Sequence, residues 1–429
     1  MVMEAGKCYE VVPVRKPVRC VVEVPGSKSI TNRALMLASM ARGKSVLTNA
    51  LFSDDTRGFM DCLESLGYEL KISESEKKIE LYGGLPSKKA AIDVRGAGTS
   101  ARFLTALLAA SEGEYTVDAS DQMKSRPMKP LTDALAGLGC TIDFFDKKGF
   151  LPYRICGGRL SGGEVTIDAE QSSQFTSALL MTGCLHDKGL VIKPAGKEIA
   201  KPYIDITMTM MEQFGVRAHR TEAGDYTVEA GQAYVPRCYA IEPDVSNACY
   251  FYAAAALTGG SVTVKGVYPS SMQGDIRFLD ILENMGSTVN VTDNGISLVG
   301  PDRGIYDGIE VDMNDCSDQV ITLAALAPFA SSPTIIKNIQ HIKHQESNRV
   351  RAVLTELSKM GIRCAATGDG IVIYPGAPKP SVVETYDDHR MAMAFALIGL
   401  RAGGIRIANP SCTAKTFENY FDIFDCLYQ

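Results

Sequence analysis

The sequence predicts an α/β protein of two domains, each a ring of three βαβαββ units around three buried helices. Three observations carry this expectation. The chain has 429 residues, too many for one ordinary core. One pattern of strand, polar loop, amphipathic helix and two further strands recurs along it. Upstream of each copy lies a second helix that is apolar nearly all round, as a helix at the centre of a domain is.

The pattern is clearest in SVLTNALFSDDTRGFMDCLESLGYELKI, SVTVKGVYPSSMQGDIRFLDILENMGSTVNV and PTIIKNIQHIKHQESNRVRAVLTELSKMGIRC. Looser copies are YTVDASDQMKSRPMKPLTDALAGLGCTIDF and LVIKPAGKEIAKPYIDITMTMMEQFGVRAH, and a shorter one is IRIANPSCTAKTFENYFDIFDCL. Val350, Val353, Leu354, Leu357 and Met360 fall on one helical face. Gly67, Gly139, Gly215, Gly286 and Gly361 recur about every 70 residues, each where a left-handed residue ends the amphipathic helix.

The buried helices are RALMLASMA, ARFLTALLAA, FTSALLMTGCL, ACYFYAAAAL, QVITLAALAPFA and MAMAFALIGL. Six of them suggest two groups of three. CYEVVPV and the short last copy each lack what the other supplies, so the C-terminal half is expected to close on the first strand. The boundaries follow: residues 1–24 plus 242–429 in one domain and 25–241 in the other. The hinges are expected near residues 22–27 and 239–244, at Pro25–Gly26 and Pro243.

Hydrophobic residues make up 45% and charged residues 22%, which excludes a disordered chain. A net charge of −6 argues against general nucleic-acid or membrane-surface binding. Of the 12 cysteines, Cys8, Cys62, Cys140, Cys249 and Cys364 stand singly among apolar neighbours and read as buried free thiols in a reducing compartment. With 5 histidines and no H-E-x-x-H spacing, no metal site is expected. MVMEAGKCYEVVPV lacks a signal-peptide core, and apolar runs of about 10–14 residues are too short for a bilayer, so a cytoplasmic protein is expected.

Chemistry is expected at two places per unit: the start of the buried helix and the loop before the amphipathic one. Helix N-termini carry unbonded N–H groups and partial positive charge, which favour anions. The first unit offers Lys28, Ser29 and Arg33, then Asp54, Asp55 and Arg57. The second offers Arg102, Lys124 and Arg126; the third Ser172, Ser173 and Gln174, then Lys201 and Tyr203. The fourth offers Asp244, Asn247, Asp275 and Arg277; the fifth Asp318, Gln345, Glu346 and Arg349; the sixth His389, Arg390 and Lys415. Singly, these are surface charges or caps. Asp318 reads equally as the N-cap of QVITLAALA, and Glu346 as a first-turn acid. Together, cations at helix N-termini oppose the dipole. A bound anion offsets that, at roughly 1.5–3 kcal/mol per charge-assisted contact. The pattern therefore predicts an enzyme site for small phosphorylated anions, with Asp318 and Glu346 available for proton transfer.

The segments PGSKSITNRALMLA, LFSDDTRGFMDCLESLG, GAGTSARFL, KSRPMKPLTDALAGLG, SSQFTSALLM, KPYIDIT, QESNRVRAVLTELSKMG, DDHRMAMAFALI and CTAKTF resemble the 5-enolpyruvylshikimate-3-phosphate synthases, in order and over nearly the whole chain. The resemblance implies two inside-out α/β barrel domains closing on a central cleft. It implies enolpyruvyl transfer from phosphoenolpyruvate to the 5-hydroxyl of shikimate 3-phosphate, with no metal or organic cofactor. It assigns Lys28, Ser29, Arg33, Ser172, Ser173, Gln174, Tyr203, Asp318 and Gln345 to shikimate 3-phosphate. It assigns Lys28, Gly98, Thr99, Arg126, Gln174, Arg349, Arg390 and Lys415 to phosphoenolpyruvate. Asp318 becomes the base on the 5-hydroxyl, Glu346 the proton carrier at C3, Lys28 a group shared by both ligands, and His389 a support. The expected partners are these two small molecules, with no nucleic acid or membrane, and the expected state is a monomer.

Several positions depart from that family's pattern. Gln345 stands where a lysine is usual and Asn348 where an aspartate is, with Lys343 and His344 the nearby cations. Gly96 replaces an asparagine, Ala200 a serine, and Phe103 follows Arg102 where proline or an aliphatic residue is common. Two other readings share the motifs. One is the same transfer to another acceptor such as a UDP-amino sugar, whose enzymes start with G-S-K-N-A and carry a loop cysteine; no cysteine lies near Lys124. The other is an inactive homologue that only binds phosphorylated ligands, for which Gln345 speaks.

Overall fold

A computed structural model describes residues 8–429; the first seven residues of the N-terminal segment lie outside the described residues. Two units emerge, one of the residues up to Pro25 with Glu242–Gln429, the other Gly26–Ile241. Each holds three sheets, all four-stranded except one of three strands.

One repeat shows how each sheet is made. Strand Lys89–Asp93 leads into helix Gly98–Ala109 and returns as Gly113–Asp118, which pairs in parallel with it, Lys89 opposite Glu114. A parallel pair needs such a crossover. The amphipathic helix Lys129–Gly137 follows, then the antiparallel hairpin Thr141–Phe144 and Tyr153–Gly157, which joins the sheet through Gly113 opposite Gly157. Gly67, Gly139, Gly215, Gly286 and Gly361 all have positive φ, between 78° and 101°, and end their helices as the sequence predicts.

Two strands are exchanged at the crossings between units. Arg19–Val22 precedes the first inner helix but pairs in parallel with Ser261–Lys265. Cys238–Ala240 precedes the fourth inner helix but pairs in parallel with Gly43–Thr48. Tyr9–Val11 pairs antiparallel with Ile405–Ile407, Tyr9 opposite Ile407, and so completes the short last sheet.

The inner helices are Lys28–Met40, Gly98–Ala109, Ser173–Thr182, Val245–Thr258, Val320–Leu326 and His389–Gly399. They pack on one another within each unit, and the sheets cover them from outside. Of the 14 residues in Val245–Thr258, 13 are buried, which only an all-round apolar helix tolerates. Gly83 and Gly157 end the last strands of their repeats against such helices. A Cβ there would lie 2.1 Å from the Ala38 carbonyl oxygen and 2.0 Å from that of Leu108, so glycine lets sheet and helix meet.

All 12 cysteines are free; Cys62, Cys140 and Cys249 are buried as expected, whereas Cys8 is exposed and Cys364 half-buried. Both lie outside the helix-centred cores: Cys8 precedes the first strand, and Cys364 opens a short outer strand. Among the described residues no helix is long and apolar enough to cross a membrane, and no group of three histidine, cysteine or acidic side chains is arranged to hold a metal.

Candidate active site

In the Gly26–Ile241 unit the predicted residues gather on the first turns of the inner helices. Lys28 Nζ lies 3.2 Å from Asp55 Oδ2, and both side chains are largely buried. Arg33, one turn on, is 2% exposed. Its Nε donates to Thr207 Oγ1 at 2.8 Å, Nη1 to the Ser29 carbonyl at 3.0 Å and Nη2 to the Tyr203 carbonyl at 2.9 Å. The rings of Phe103 and Tyr203 stand 5.4 and 5.9 Å from its guanidinium. Burial lowers Arg33 to about 10, so it keeps its charge at neutral pH.

Ser172 caps its helix by accepting from the Gln174 amide at 3.3 Å, with Ser173 buried beside it. Gln174 Nε2 reaches Thr99 Oγ1 at 3.4 Å. Gln174 Oε1 and Arg126 Nε are buried with no partner among the described residues. Leaving such atoms unmet costs about 1–3 kcal/mol each, and a ligand bearing both hydroxyl and anionic groups offers each a partner. Helix Gly98–Ala109 starts without a side-chain cap. A Cβ on Gly98 would lie 2.3 Å from Arg102 Nη1 and 2.7 Å from Arg126 Nη1, so two guanidiniums crowd this uncapped N-terminus.

In the other unit Arg349 is the hub, 1% exposed. Nε donates to Asp388 Oδ2 at 2.8 Å and Nη2 to Asp388 Oδ1 at 3.3 Å. Nη2 also reaches Glu346 Oε2 at 2.9 Å, and Nη1 reaches Asp318 Oδ1 at 3.0 Å and Gln345 Oε1. The second oxygen of Asp318 accepts from Arg390 Nη2 at 2.7 Å. Asp318 therefore bridges two arginines, and Arg349 joins Asp318 to Glu346. Burial works against the Arg349 charge, but Asp388, Glu346 and Asp318 outweigh it and hold the guanidinium charged.

Asp388 also caps helix His389–Gly399 by accepting from the Arg390 amide at 3.0 Å. His389 is buried beside it, Nδ1 3.8 Å from Asp388 Oδ1. Arg390 Nη1 donates to Tyr250 Oη at 3.3 Å. Lys415 closes the turn Pro410–Lys415, half-buried.

Several expectations are corrected. Asp318 is no cap: it lies in the 3-10 turn Ser317–Gln319, and helix Val320–Leu326 begins after it with no side-chain cap. Glu346 is no first-turn acid, because helix Arg349–Lys359 is capped by Asn348, which accepts from the Arg351 amide at 3.1 Å. Asparagine at 348 thus caps as an aspartate would. Arg57, Lys124 and Arg277 are tied to Glu74, Asp118 and Asp315 at 2.9, 2.8 and 2.7 Å in partly exposed local pairs. Surface pairs of this kind are worth at most about 1 kcal/mol. Lys343 bonds Gln340 and His344 is exposed, so Arg349 is the cation that Gln345 meets. Asp54 is exposed.

The inner helix N-termini also differ. None has an acid in its first turn. Asp244 and Asp388, however, cap two of the three in the Glu242–Gln429 unit and neutralise those ends. In the Gly26–Ile241 unit two ends, at Lys28 and Gly98, have no side-chain cap; in the other unit only the short helix Val320–Leu326 lacks one, and Asp318 precedes it.

Residues that the sequence reasoning left outside the site are Asp388, Thr207, Tyr250 and Ser177, whose Oγ accepts from Thr207 Oγ1 at 2.9 Å beside Arg33. Asp388 stood in the D-D-H-R start, and its role as acceptor for Arg349 was legible only as an acid beside a basic helix start. Asp275 is likewise drawn in: burial first, then the Asp318 charge, push its carboxyl up to about 6 against the pull of Arg390. Its folded pKa lies above the unfolded value, so the stability it contributes is full at acid pH and is lost as pH rises through about 6. The native chain is therefore expected to lose this contribution to its thermal stability between about pH 4 and 6, and Asp275→Asn to flatten that slope, as calorimetric scans across pH would show. An unchanged slope in the variant would contradict it.

The family model for EPSP synthase (3-phosphoshikimate 1-carboxyvinyltransferase) matches residues 12–424. The chain is 45% identical over 414 residues to the 3-phosphoshikimate 1-carboxyvinyltransferase of Nostoc sp. (strain PCC 7120 / SAG 25.82 / UTEX 2576), covering 96% of this chain and 97% of that one. It is 41% identical over 407 residues to that of Escherichia coli O127:H6, covering 94% of each. The solved structure of EPSP synthase from Acinetobacter baumannii shares the fold with a TM-score of 0.81 over 97% of both chains, at 24% identity. By its sequence over nearly its whole length, the chain belongs to the EPSP synthase (3-phosphoshikimate 1-carboxyvinyltransferase) family.

Proposed function

We infer that the chain transfers the enolpyruvyl group of phosphoenolpyruvate to the 5-hydroxyl of shikimate 3-phosphate and releases phosphate, a step in chorismate and aromatic amino acid biosynthesis. The observation that carries the mechanism is the Asp318 carboxylate, bridged by Arg349 and Arg390, with Glu346 on the same Arg349 guanidinium. One guanidinium that bonds both carboxylates fixes a base and a proton carrier side by side.

In this reading Asp318 takes the proton of the 5-hydroxyl as its oxygen adds to C2 of phosphoenolpyruvate. In the same addition Glu346 gives a proton to C3. The tetrahedral adduct then loses phosphate from C2 and returns a proton from C3 to Glu346, which restores the double bond; the hydroxyl proton leaves Asp318 with the phosphate. Ser29, Arg33, Ser172, Ser173, Gln174 and Tyr203, with Asp318 and Gln345, hold shikimate 3-phosphate. Gly98, Thr99, Arg126, Gln174, Arg349, Arg390 and Lys415 hold phosphoenolpyruvate; Lys28 serves both ligands, and His389 supports Arg390. The N–H groups of Arg349 are engaged by protein acceptors. Phosphoenolpyruvate binding there exchanges protein oxygens for ligand oxygens and loosens Asp318 and Glu346 for their work. The chain is read as a cytoplasmic monomer acting on these two small molecules.

Phosphate release from phosphoenolpyruvate tests the reading. Release is expected with shikimate 3-phosphate and not without it. Release only with a UDP-amino sugar would favour the other acceptor, and none with either would favour an inactive homologue.

A methyl group at Gly98 probes the donor site. Because its Cβ would displace Arg102 and Arg126, Gly98→Ala is expected to raise the KM for phosphoenolpyruvate roughly 10-fold or more, the loss of about one charge-assisted contact. The KM for shikimate 3-phosphate should move much less, which initial-rate kinetics would read. An equal rise in both would place the damage in the fold.

A further inference from the structure

The fourth repeat supplies none of the roles above, yet its loop is tied into the fifth at Asp318. The turn Gly274–Arg277 carries Asp275, whose side chain is buried and makes no ion pair among the described residues. Its Oδ2 accepts from Ser246 Oγ and, at 2.8 Å, from Gln319 Nε2. Gln319 follows Asp318 directly and is 0% exposed. Its Nε2 also donates to the Ser246 carbonyl at 3.3 Å, and its Oε1 accepts from Thr322 Oγ1 at 3.0 Å. At the outer end of the same turn Arg277 Nη1 holds Asp315 Oδ2 at 2.7 Å.

Asp318 thus sits between two ties to one neighbouring turn. The segment that carries it, Ser317–Gln319, is a single 3-10 turn without a side-chain cap, a geometry that holds itself poorly. Two arginines hold the carboxylate of Asp318, but the backbone that carries it has to be held from outside that segment, and the fully bonded Gln319 does so. The charges of Asp318 and Arg390 also act on Asp275, so the brace lies within the electrostatic reach of the carboxylate it serves.

We propose that Asp275, acting through Gln319, is the positioning residue that orients the Asp318 carboxylate for proton transfer from the acceptor hydroxyl. This rests on the reading of Asp318 as the base.

Steady-state kinetics of the full chain with both substrates test it. Asp275→Ala and Gln319→Leu are each expected to lower kcat roughly 10–100-fold, as a slightly displaced catalytic group does, with both KM values within about threefold. Asp275→Asn, whose amide oxygen still accepts from Gln319, is expected to keep kcat within about fivefold of native. On an Asp318→Asn background, Asp275→Ala should add less than about twofold, because the group it positions is gone. Where Asp275→Ala fails to fold, Gln319→Leu carries the same comparison. A crippled Asp318→Asn beside unimpaired Asp275→Ala and Gln319→Leu overturns the brace alone. So does an asparagine no better than alanine, or a loss that appears in KM instead of kcat. An Asp318→Asn enzyme with native turnover overturns the reading of Asp318 itself.

Discussion

Asp318→Asn is expected to lower kcat by about 10²–10⁴-fold, the range for removing a general base. That corresponds to roughly 3–5 kcal/mol of transition-state stabilisation. The amide keeps the shape of the bridge but cannot take a proton. It also leaves Arg349 and Arg390 without the carboxylate that each bonds, at 3.0 and 2.7 Å. Both guanidiniums then gain attraction for an anionic ligand, so phosphoenolpyruvate affinity should hold or rise while turnover collapses. Single-turnover rates and calorimetric binding would separate the two. A variant that lost affinity in proportion to turnover would make Asp318 a binding group and leave the base unassigned.

Arg349→Leu should have the largest effect on the fold. Arg349 is the partner of three carboxylates, and its removal leaves Asp388, itself 0% exposed, without a guanidinium. Deleting one side of a buried pair costs about 3–5 kcal/mol. In a unit of roughly 200 residues that lowers Tm by roughly 6–20 °C. Exposed pairs set the contrast: removing Arg277, paired with Asp315 at the surface, should cost at most about 1 kcal/mol. Differential scanning calorimetry of both variants would show the gap. Similar melting temperatures would mean that the Arg349 cluster contributes to function and little to stability.

The fold was legible because its signals are local. The glycines that end the amphipathic helices, the apolar inner helices and the loops before the outer helices are all encoded within a few residues. The positive φ values of Gly67 and Gly361 follow from the place of each glycine just past an amphipathic helix. The exchange of Arg19–Val22 and Cys238–Ala240 was harder to read, because each strand resembles the sheet it leaves as much as the one it joins.

The candidate site was legible as a set of residues and not as a set of partnerships. By local position alone Asp318 and Arg57 were alike, each a charge near a helix start, and only the resemblance set Asp318 apart. Arg57 meets Glu74 at the surface, a bond of small consequence. Asp318 meets Arg349 and Arg390 at sequence separations of 31 and 72, and Arg349 meets Asp388 at a separation of 39.

The sequence by itself determined the repeats, the inner and outer helices, the family and the identity of the charged groups at the helix starts. Only the tertiary structure decided which acid faces which base, and that Gln319 and Asp275 stand behind Asp318. The reason is physical. Periodicity and capping act over three or four residues and leave a trace in the sequence. A buried ion pair or brace depends on where distant repeats bring side chains together, and the same charges on the surface would have left the same trace.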